Sequence, residues 1–164
     1  LLKAIEMANQ SLDVHLAVVG RGDHADHYRD KAKQLGIERK VTFLGYVTNE
    51  ELAQYYSDTD LLVLPSLDRT EGFGMVLIEA QACGAPVIGT NVGGIPCALV
   101  DGRTGLLVPP SDVETLSKAL LRILGDEGYA RLLGQNGIEW VSEEFSWDVV
   151  SERFYRTILE VLDK

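Results

Sequence analysis

The chain has 164 residues, of which 46% are hydrophobic and 24% are charged, values that suit one globular domain with a sizeable core. A formal net charge of -10 argues against a surface for nucleic acid or anionic lipid, because both need clustered positive charge. Two cysteines make no disulfide framework, and no apolar run approaches the roughly 20 residues that span a bilayer.

The predicted elements alternate between helix and strand through the first two-thirds of the chain, beginning with a helix over Leu1–Asn9. Short runs of nearly continuous hydrophobicity predict strands that are covered on both faces. These strands are Val14–Val19, Val41–Leu44, Leu61–Leu64, Val87–Gly89 and Leu106–Val108. The helices predicted between them are Ala25–Leu35, Asn49–Ser57, which has a capping box at Thr48 and Glu51, and Gly74–Cys83. This repeated order predicts a parallel sheet with right-handed crossovers.

The pattern changes after Pro109-Pro110, where the sequence predicts helices only. Ser111 or Asp112 can cap the first of three helices. The three helices are Val113–Leu124, Glu127–Glu144 and Trp147–Leu162. We therefore predict a doubly wound, Rossmann-like α/β domain over residues 1–110, with residues 111–164 as a helical segment packed on it. Because the chain opens on a helix, we expect the sheet to lack its first strand.

The loop between the strand at Leu61–Leu64 and the following helix has the composition of a ligand site. In open α/β sheets, ligands bind beyond the carboxyl ends of the strands. Gly72 and Gly74 let the backbone approach a ligand closely. The N–H groups of Gly74, Met75 and Val76 have no partner within the helix and carry its positive dipole end. This helix start predicts a diphosphate site, even in an acidic protein.

Two glutamates flank this loop, and the residues alone leave their roles open. Glu79 lies on a helix apolar enough to be mostly buried, one turn after Met75, so its carboxylate can face the same cleft and accept from ribose hydroxyls. A partly exposed acid that complements the helix N-terminus explains Glu79 equally well. Glu71 can meet sugar hydroxyls at the cleft mouth, although without context a solvated loop acid is the simpler interpretation.

A longer pattern connects these residues to a known family. Glu71-Gly72-Phe73-Gly74 with Glu79-Ala80 resembles the E-G-F-G-x(4)-E-A signature of the group 1 (family 4) retaining glycosyltransferases, which have the GT-B fold. Six further segments match that family in order and spacing, so the resemblance covers nearly the whole chain. They are Val18–Gly22, Val41–Gly45, Asp60–Ser66, Ala82–Val87, Gly93–Pro96 and Asp101–Val108. The resemblance implies that the chain is the C-terminal, donor-binding half of a two-domain enzyme.

The resemblance also implies roles for individual side chains at the donor site. Glu71 is the candidate catalytic residue, in contact with the donor sugar near the reacting carbon. Glu79 binds the ribose hydroxyls of the nucleotide. Gly45 and Tyr46, which follow a strand, lie against the nucleobase.

Backbone groups hold the phosphates in the arrangement that the resemblance implies. Gly72, Phe73 and Gly74 present backbone groups to sugar and phosphate, and the N–H groups of Met75 and Val76 donate to the diphosphate. Catalysis in this fold is similar to metal-free stabilisation of the leaving group, so we predict no metal and no cofactor. The expected donor is a nucleoside diphosphate sugar, linked to UDP or GDP, from which a hexosyl group is transferred.

Two departures from the family pattern limit what carries over. The family often has Glu after Gly-Gly-x-Pro, where this chain has Cys97, so the contribution of that acid is open. The family also places an Arg and a Lys for the donor phosphates in a loop before this chain's first helix. With those cations and the acceptor-binding N-terminal domain outside the chain, we expect it to be inactive alone. We expect a cytoplasmic protein, with any peripheral membrane contact made through that N-terminal domain.

Two other functions remain open from the sequence. A GT-B enzyme that does not transfer to an acceptor, such as a nucleotide-sugar epimerase, would share the donor site. A non-catalytic nucleotide-binding module would keep the fold without turnover. Glu71 and Glu79 argue against the second alternative, and Cys97 argues slightly for it.

Overall fold

The protein is an α/β domain with a helical C-terminal segment, as a computed structural model describes it for residues 1–162. The predicted fold class is confirmed. In the described residues the elements are α1 (Leu2–Ala8), β1 (Leu16–Val19), α2 (Ala25–Gln34), β2 (Val41–Gly45), α3 (Asn49–Asp58), β3 (Leu62–Leu64), α4 (Met75–Ala82), β4 (Val87–Thr90), β5 (Gly105–Val108), α5 (Val113–Leu124), α6 (Glu127–Phe145) and α7 (Trp147–Leu162).

The first strand begins later than the sequence predicts, at Leu16 instead of Val14. The amide side chain of Asn9 accepts from the Val14 N–H at 3.2 Å and donates to the Val14 carbonyl at 3.0 Å. Because both backbone groups of Val14 are bonded to this side chain, the residue is held outside the strand ladder, although it is buried. Two short 3₁₀ turns, Glu38–Lys40 and Ile95–Cys97, were also not predicted.

The strands form two parallel sheets that are not hydrogen-bonded to each other in the described residues. β1 pairs with β2, and β3, β4 and β5 pair in that order. A cavity of about 560 Å³ is lined by Leu16 of β1 and Val63 of β3, and a larger one, of about 780 Å³, is lined by β1, β2 and the loop that follows β3. The edges of β1 and β3 are therefore open to each other, as expected for a doubly wound sheet that lacks a central strand.

The C-terminal helices differ in how they pack on this layer. α5 packs against α1, and α6 packs against α4. A Cβ added at Gly134 would lie only 2.1 Å from the Gly84 carbonyl oxygen, so α6 crosses the end of α4 at backbone contact. α7 has an amphipathic sequence but no buried residue.

Candidate functional site

The loop that carries the signature begins where β3 ends and is fixed to the neighbouring strand. The hydroxyl of Thr90, the last residue of β4, donates to the Ser66 carbonyl at 2.7 Å. Farther along, the side chain of Asp68 accepts from the backbone and the hydroxyl of Thr70. These hydrogen bonds hold the pKa of Asp68 below its usual value, and the bond from the Thr70 hydroxyl lowers it most. The loop therefore leaves the carboxyl end of the sheet in a defined conformation.

Gly74 turns this loop into α4. Its φ and ψ of 87° and 49° are left-handed, and an added Cβ would lie 3.0 Å from Leu64 Cδ2, so glycine meets both the backbone and the packing demand. The first N–H to bond back is that of Leu77, to the Gly74 carbonyl at 2.9 Å. Within residues 1–162, the N–H groups of Gly74, Met75 and Val76 have no protein acceptor. The start of α4 is therefore an uncapped set of donors.

A second glycine-rich segment packs against the signature loop at backbone distance. A Cβ added at Gly94 would lie 1.9 Å from the Gly72 carbonyl oxygen, and one at Gly93 would lie 2.4 Å from the Glu71 carbonyl oxygen. The Gly94 N–H also donates to the Glu71 carbonyl, at 3.4 Å. Only residues without a side chain permit this approach, which fixes the backbone on which Glu71 stands.

Glu71 is half-buried and lines the larger cavity, of about 780 Å³, between the two sheets. Ser66, Asp68 and Thr70 line the same wall, so that carboxylates and hydroxyls face the space beside Glu71. The other walls carry Lys3, His27, Lys31 and apolar side chains of β1 and β2. In a chain of net charge -10, this cavity brings basic groups toward the loop that holds the predicted catalytic residue.

The structure places Glu79 exposed on α4, whereas the sequence left a largely buried and a partly exposed carboxylate equally open. Its helix presents Leu77, Ile78 and Ala80 to the core instead. The Glu79 carboxylate oxygen Oε2 accepts a hydrogen bond of 2.9 Å from the hydroxyl of Tyr56 on α3. Glu79 is thus held by a partner from another helix and remains accessible to a ligand.

The side chain of Phe73 has a structural role that the sequence did not indicate. Its ring centroid lies 5.7 Å from that of Phe145, at the end of α6, and Phe145 lies 5.0 Å from Trp140 in an edge-to-face arrangement. The aromatic residues of α6 therefore support the signature loop from behind, while the backbone of Phe73 stays in the loop.

Gly45 and Tyr46, predicted to meet the nucleobase, lie at the end of β2. Gly45 has a φ of 73°, and its carbonyl accepts from the Gly20 N–H at 2.8 Å, which joins the ends of β1 and β2. The Tyr46 ring is 67% exposed, with the guanidinium carbon of Arg21 5.4 Å from its centroid. The Tyr46 ring thus lies beside Arg21 on a surface open to solvent.

Residues 1–140 match a model of the family described as Glycosyl transferases group 1. The chain belongs to this family. The match confirms the resemblance carried by the signature segment and its neighbours. No helix among residues 1–162 is long and apolar enough to cross a membrane.

Relatives of this group 1 chain are longer than the chain itself. An uncharacterized glycosyltransferase of Methanocaldococcus jannaschii is 30% identical over 167 residues, a region that covers 100% of this chain and 42% of the relative. A GDP-mannose-dependent alpha-(1-6)-phosphatidylinositol monomannoside mannosyltransferase of Mycolicibacterium smegmatis is 32% identical over 153 residues. The aligned region covers 90% of this chain and 40% of the relative. The chain therefore spans about two fifths of the length of these relatives.

Solved structures of similar fold include whole enzymes and a separate C-terminal domain. Sucrose-phosphate synthase from Thermosynechococcus elongatus matches with a TM-score of 0.84 and 36% identity, over 99% of this chain and 42% of that one. The C-terminal domain of a group 1 family protein from Francisella tularensis matches with a TM-score of 0.79 and 26% identity, over 89% and 77%.

Gln81 is a residue of this group 1 domain that sequence reasoning missed. Its side chain is fully buried, and its amide nitrogen donates to the Leu77 and Ala98 carbonyls, each at 2.8 Å. The second bond ties α4 to the segment that follows Gly93-Gly94. The signal in the sequence was a polar amide inside Ala80–Cys83, a run that is otherwise apolar.

Proposed function

We propose that this chain is the donor-binding half of a glycosyltransferase that uses a nucleoside diphosphate sugar linked to UDP or GDP. The observation that carries the proposal is the start of α4. There, the uncapped N–H groups of Gly74, Met75 and Val76 follow a loop held at backbone contact with Gly93-Gly94. A helix start of this kind binds phosphate through donors and dipole, and so needs no cluster of basic side chains.

The remaining site residues are assigned around that diphosphate. Gly72 and the Phe73 backbone present groups to the phosphate and sugar. Exposed Glu79 accepts from the ribose hydroxyls, since a carboxylate has several acceptor sites and only one is taken by Tyr56. Tyr46 with Gly45 provides the surface for the nucleobase, because an aromatic face that is 67% exposed suits stacking.

Glu71 is assigned the catalytic role at the donor sugar. It lines the large cavity beside hydroxyl groups, and the backbone contact with Gly93-Gly94 fixes its position. In the reaction, the bond between the anomeric carbon and the diphosphate oxygen breaks, the oxygen of an acceptor hydroxyl bonds to that carbon, and the hydroxyl proton leaves with the diphosphate. Donors at the start of α4 stabilise the negative charge of the departing diphosphate, which is where such electrostatic terms are largest.

The acceptor site is assigned to an N-terminal domain of the full-length protein, because this chain spans about two fifths of relatives such as the mannosyltransferase. The chain alone would then bind donor weakly and transfer no sugar. The name of that relative states GDP-mannose dependence, whereas the residues described here do not favour GDP over UDP.

Isothermal titration of the full-length protein with GDP and with UDP tests the donor site. We expect one of them to bind with the same Kd in the presence and absence of EDTA, because backbone donors, and not a metal ion, hold the diphosphate. Loss of binding in EDTA would contradict the metal-free site, and absence of binding by both nucleotides would contradict the donor assignment.

Product analysis with the bound donor sugar separates the three functions that the sequence left open. Sugar joined to an acceptor supports transfer, whereas an epimerised nucleotide sugar formed without an acceptor indicates a non-transferring enzyme. Binding without any product indicates a binding module. A Glu71→Gln variant, which keeps the shape of the side chain, should bind nucleotide normally and lose turnover.

A further inference from the structure

A contact between Tyr56 and Glu79 connects a buried core residue to a side chain that we propose binds the sugar donor. Tyr56 lies on α3 and is only 6% exposed, packed in the apolar cluster that also contains Ile78 and Val141. Its hydroxyl emerges from that cluster and donates to Glu79 Oε2 at 2.9 Å. The two residues are 23 positions apart, so the bond joins separate helices.

A hydrogen bond to one carboxylate oxygen changes what the other oxygen can do. A glutamate has three rotatable side-chain bonds, and an exposed one loses considerable freedom when a ligand fixes it. Tyr56 is itself fixed by packing, so it restricts Glu79 before any ligand arrives. Oε1 and the second acceptor site of Oε2 then remain free, which suits the two neighbouring hydroxyls of a ribose.

We propose that Tyr56 is a positioning residue for donor recognition, holding the Glu79 carboxylate in the orientation that accepts from the ribose hydroxyls. This inference depends on the proposed function, which supplies the nucleotide. Tyr56 is protonated and able to donate over the working pH range, because burial, and then the bond to Glu79, raise the pKa of its hydroxyl. A purely structural contact would satisfy the same phenol but would not distinguish ribose from deoxyribose.

The test compares a nucleoside diphosphate with its 2′,3′-dideoxy counterpart in the full-length protein, using whichever of GDP and UDP binds. In the unaltered protein, the ribonucleotide should bind more tightly. Tyr56→Phe removes one oxygen and keeps the ring in the core. It should weaken ribonucleotide binding by about three- to tenfold, the range of one hydrogen bond, and leave dideoxynucleotide binding unchanged. The donor KM should rise accordingly with kcat little changed.

Tyr55→Phe is the matched control, because it removes the same atom from the next residue of α3. The Tyr55 side chain is 39% exposed, and its hydroxyl has no hydrogen-bond partner among the residues that the structure describes. This variant should leave both affinities unchanged. In a Glu79→Ala background, Tyr56→Phe should have no further effect on ribonucleotide binding, since the two residues act through one contact.

Each other outcome overturns a specific statement. If Tyr56→Phe weakens both nucleotides equally, or lowers only the melting temperature, its role is structural and the inference is wrong. If the unaltered protein binds ribose and dideoxyribose forms equally, Glu79 does not recognise ribose, although donor binding stands. If neither nucleotide binds, the proposed function itself fails. Should Tyr56→Phe not fold, Tyr56→Met is the second variant without the hydroxyl: it should weaken ribonucleotide binding and leave dideoxynucleotide binding unchanged, and equal weakening of both would overturn the inference.

Discussion

The glycines of the two sheets differ in how much space surrounds them. In the three-stranded sheet and its loops, several glycines have a close neighbour, whereas Gly72 and Gly102 have open space. A Cβ at Gly105 would lie 2.4 Å from the Val87 carbonyl oxygen, and one at Gly89 would lie 2.6 Å from Ile95 Cγ2. In the two-stranded sheet and its loops, glycines have open space around them. These are Gly20, Gly22, Gly36 and Gly45. The half that holds the proposed phosphate site is therefore fixed by backbone contact, whereas the half proposed for the nucleobase is open to solvent.

The largest expected effect on the free energy of unfolding comes from a strand that pairs with both sheets. The facing edges of β1 and β3 carry backbone groups that a strand from upstream of Leu1 would pair with. Each such group kept from water costs about 1–3 kcal/mol, so several rival a domain's net stability of about 5–15 kcal/mol. A polypeptide that starts roughly thirty residues earlier, one strand with its loop, should therefore unfold at higher urea and with a steeper slope.

The control for this comparison is an upstream segment of the same composition in scrambled order. The scrambled extension should give the same urea midpoint as residues 1–164 alone. Equal midpoints and slopes for the native and scrambled extensions would show that no upstream strand enters the gap.

Gly94→Ala should have the next largest effect, because its Cβ would meet the Gly72 carbonyl oxygen, which is backbone and cannot rotate away. We expect the free energy of unfolding to fall by about 3 kcal/mol, at the upper end of overpacking effects, together with weaker nucleotide binding. Gly22→Ala in the open half is the control and should change stability by less than about 0.5 kcal/mol. Urea unfolding measures both, and equal effects would contradict the contrast between the halves.

Changes to Glu79 and Tyr46, which lie at the proposed ligand surface, should have the smallest effects. They should leave the free energy of unfolding unchanged, because both side chains are exposed. Glu79→Ala should weaken nucleotide binding by about 1.5–3 kcal/mol, roughly ten- to a hundredfold. Tyr46→Ala should lose about 0.5–1.5 kcal/mol of stacking. Titration calorimetry gives both affinities. An unchanged Kd for Glu79→Ala, with a lower melting temperature, would instead make Glu79 a structural residue.

Local features were predictable from the sequence because neighbouring residues determine them. The capping box of α3 is present, with Thr48 accepting from the Glu51 N–H and Glu51 accepting from the Thr48 N–H. Of the two candidate caps for α5, Asp112 is the residue used, through the Thr115 N–H. The start of α4 at Gly74 was predictable for the same reason, because a glycine loop before an apolar helix is a local signal.

Side-chain hydrogen bonds that reach outside their own helix were not predictable. Asn9 withdraws Val14 from β1, and Tyr56 reaches Glu79 across 23 positions, yet neither bond has a periodic signature. The sequence left the exposure of Glu79 open for a related reason. The apolar composition of α4 predicts that the helix is buried, but it does not say which single side chain lies on the outer face.

The aromatic contact between Phe73 and Phe145 has a consequence for building chimeras from related enzymes. The family match ends at residue 140, whereas Phe145, which supports the signature loop, lies beyond it. A hybrid joined at the family boundary would take Phe73 from one parent and its supporting ring from the other. The safe junction is therefore after α6 ends at Phe145, so that loop and support are inherited together.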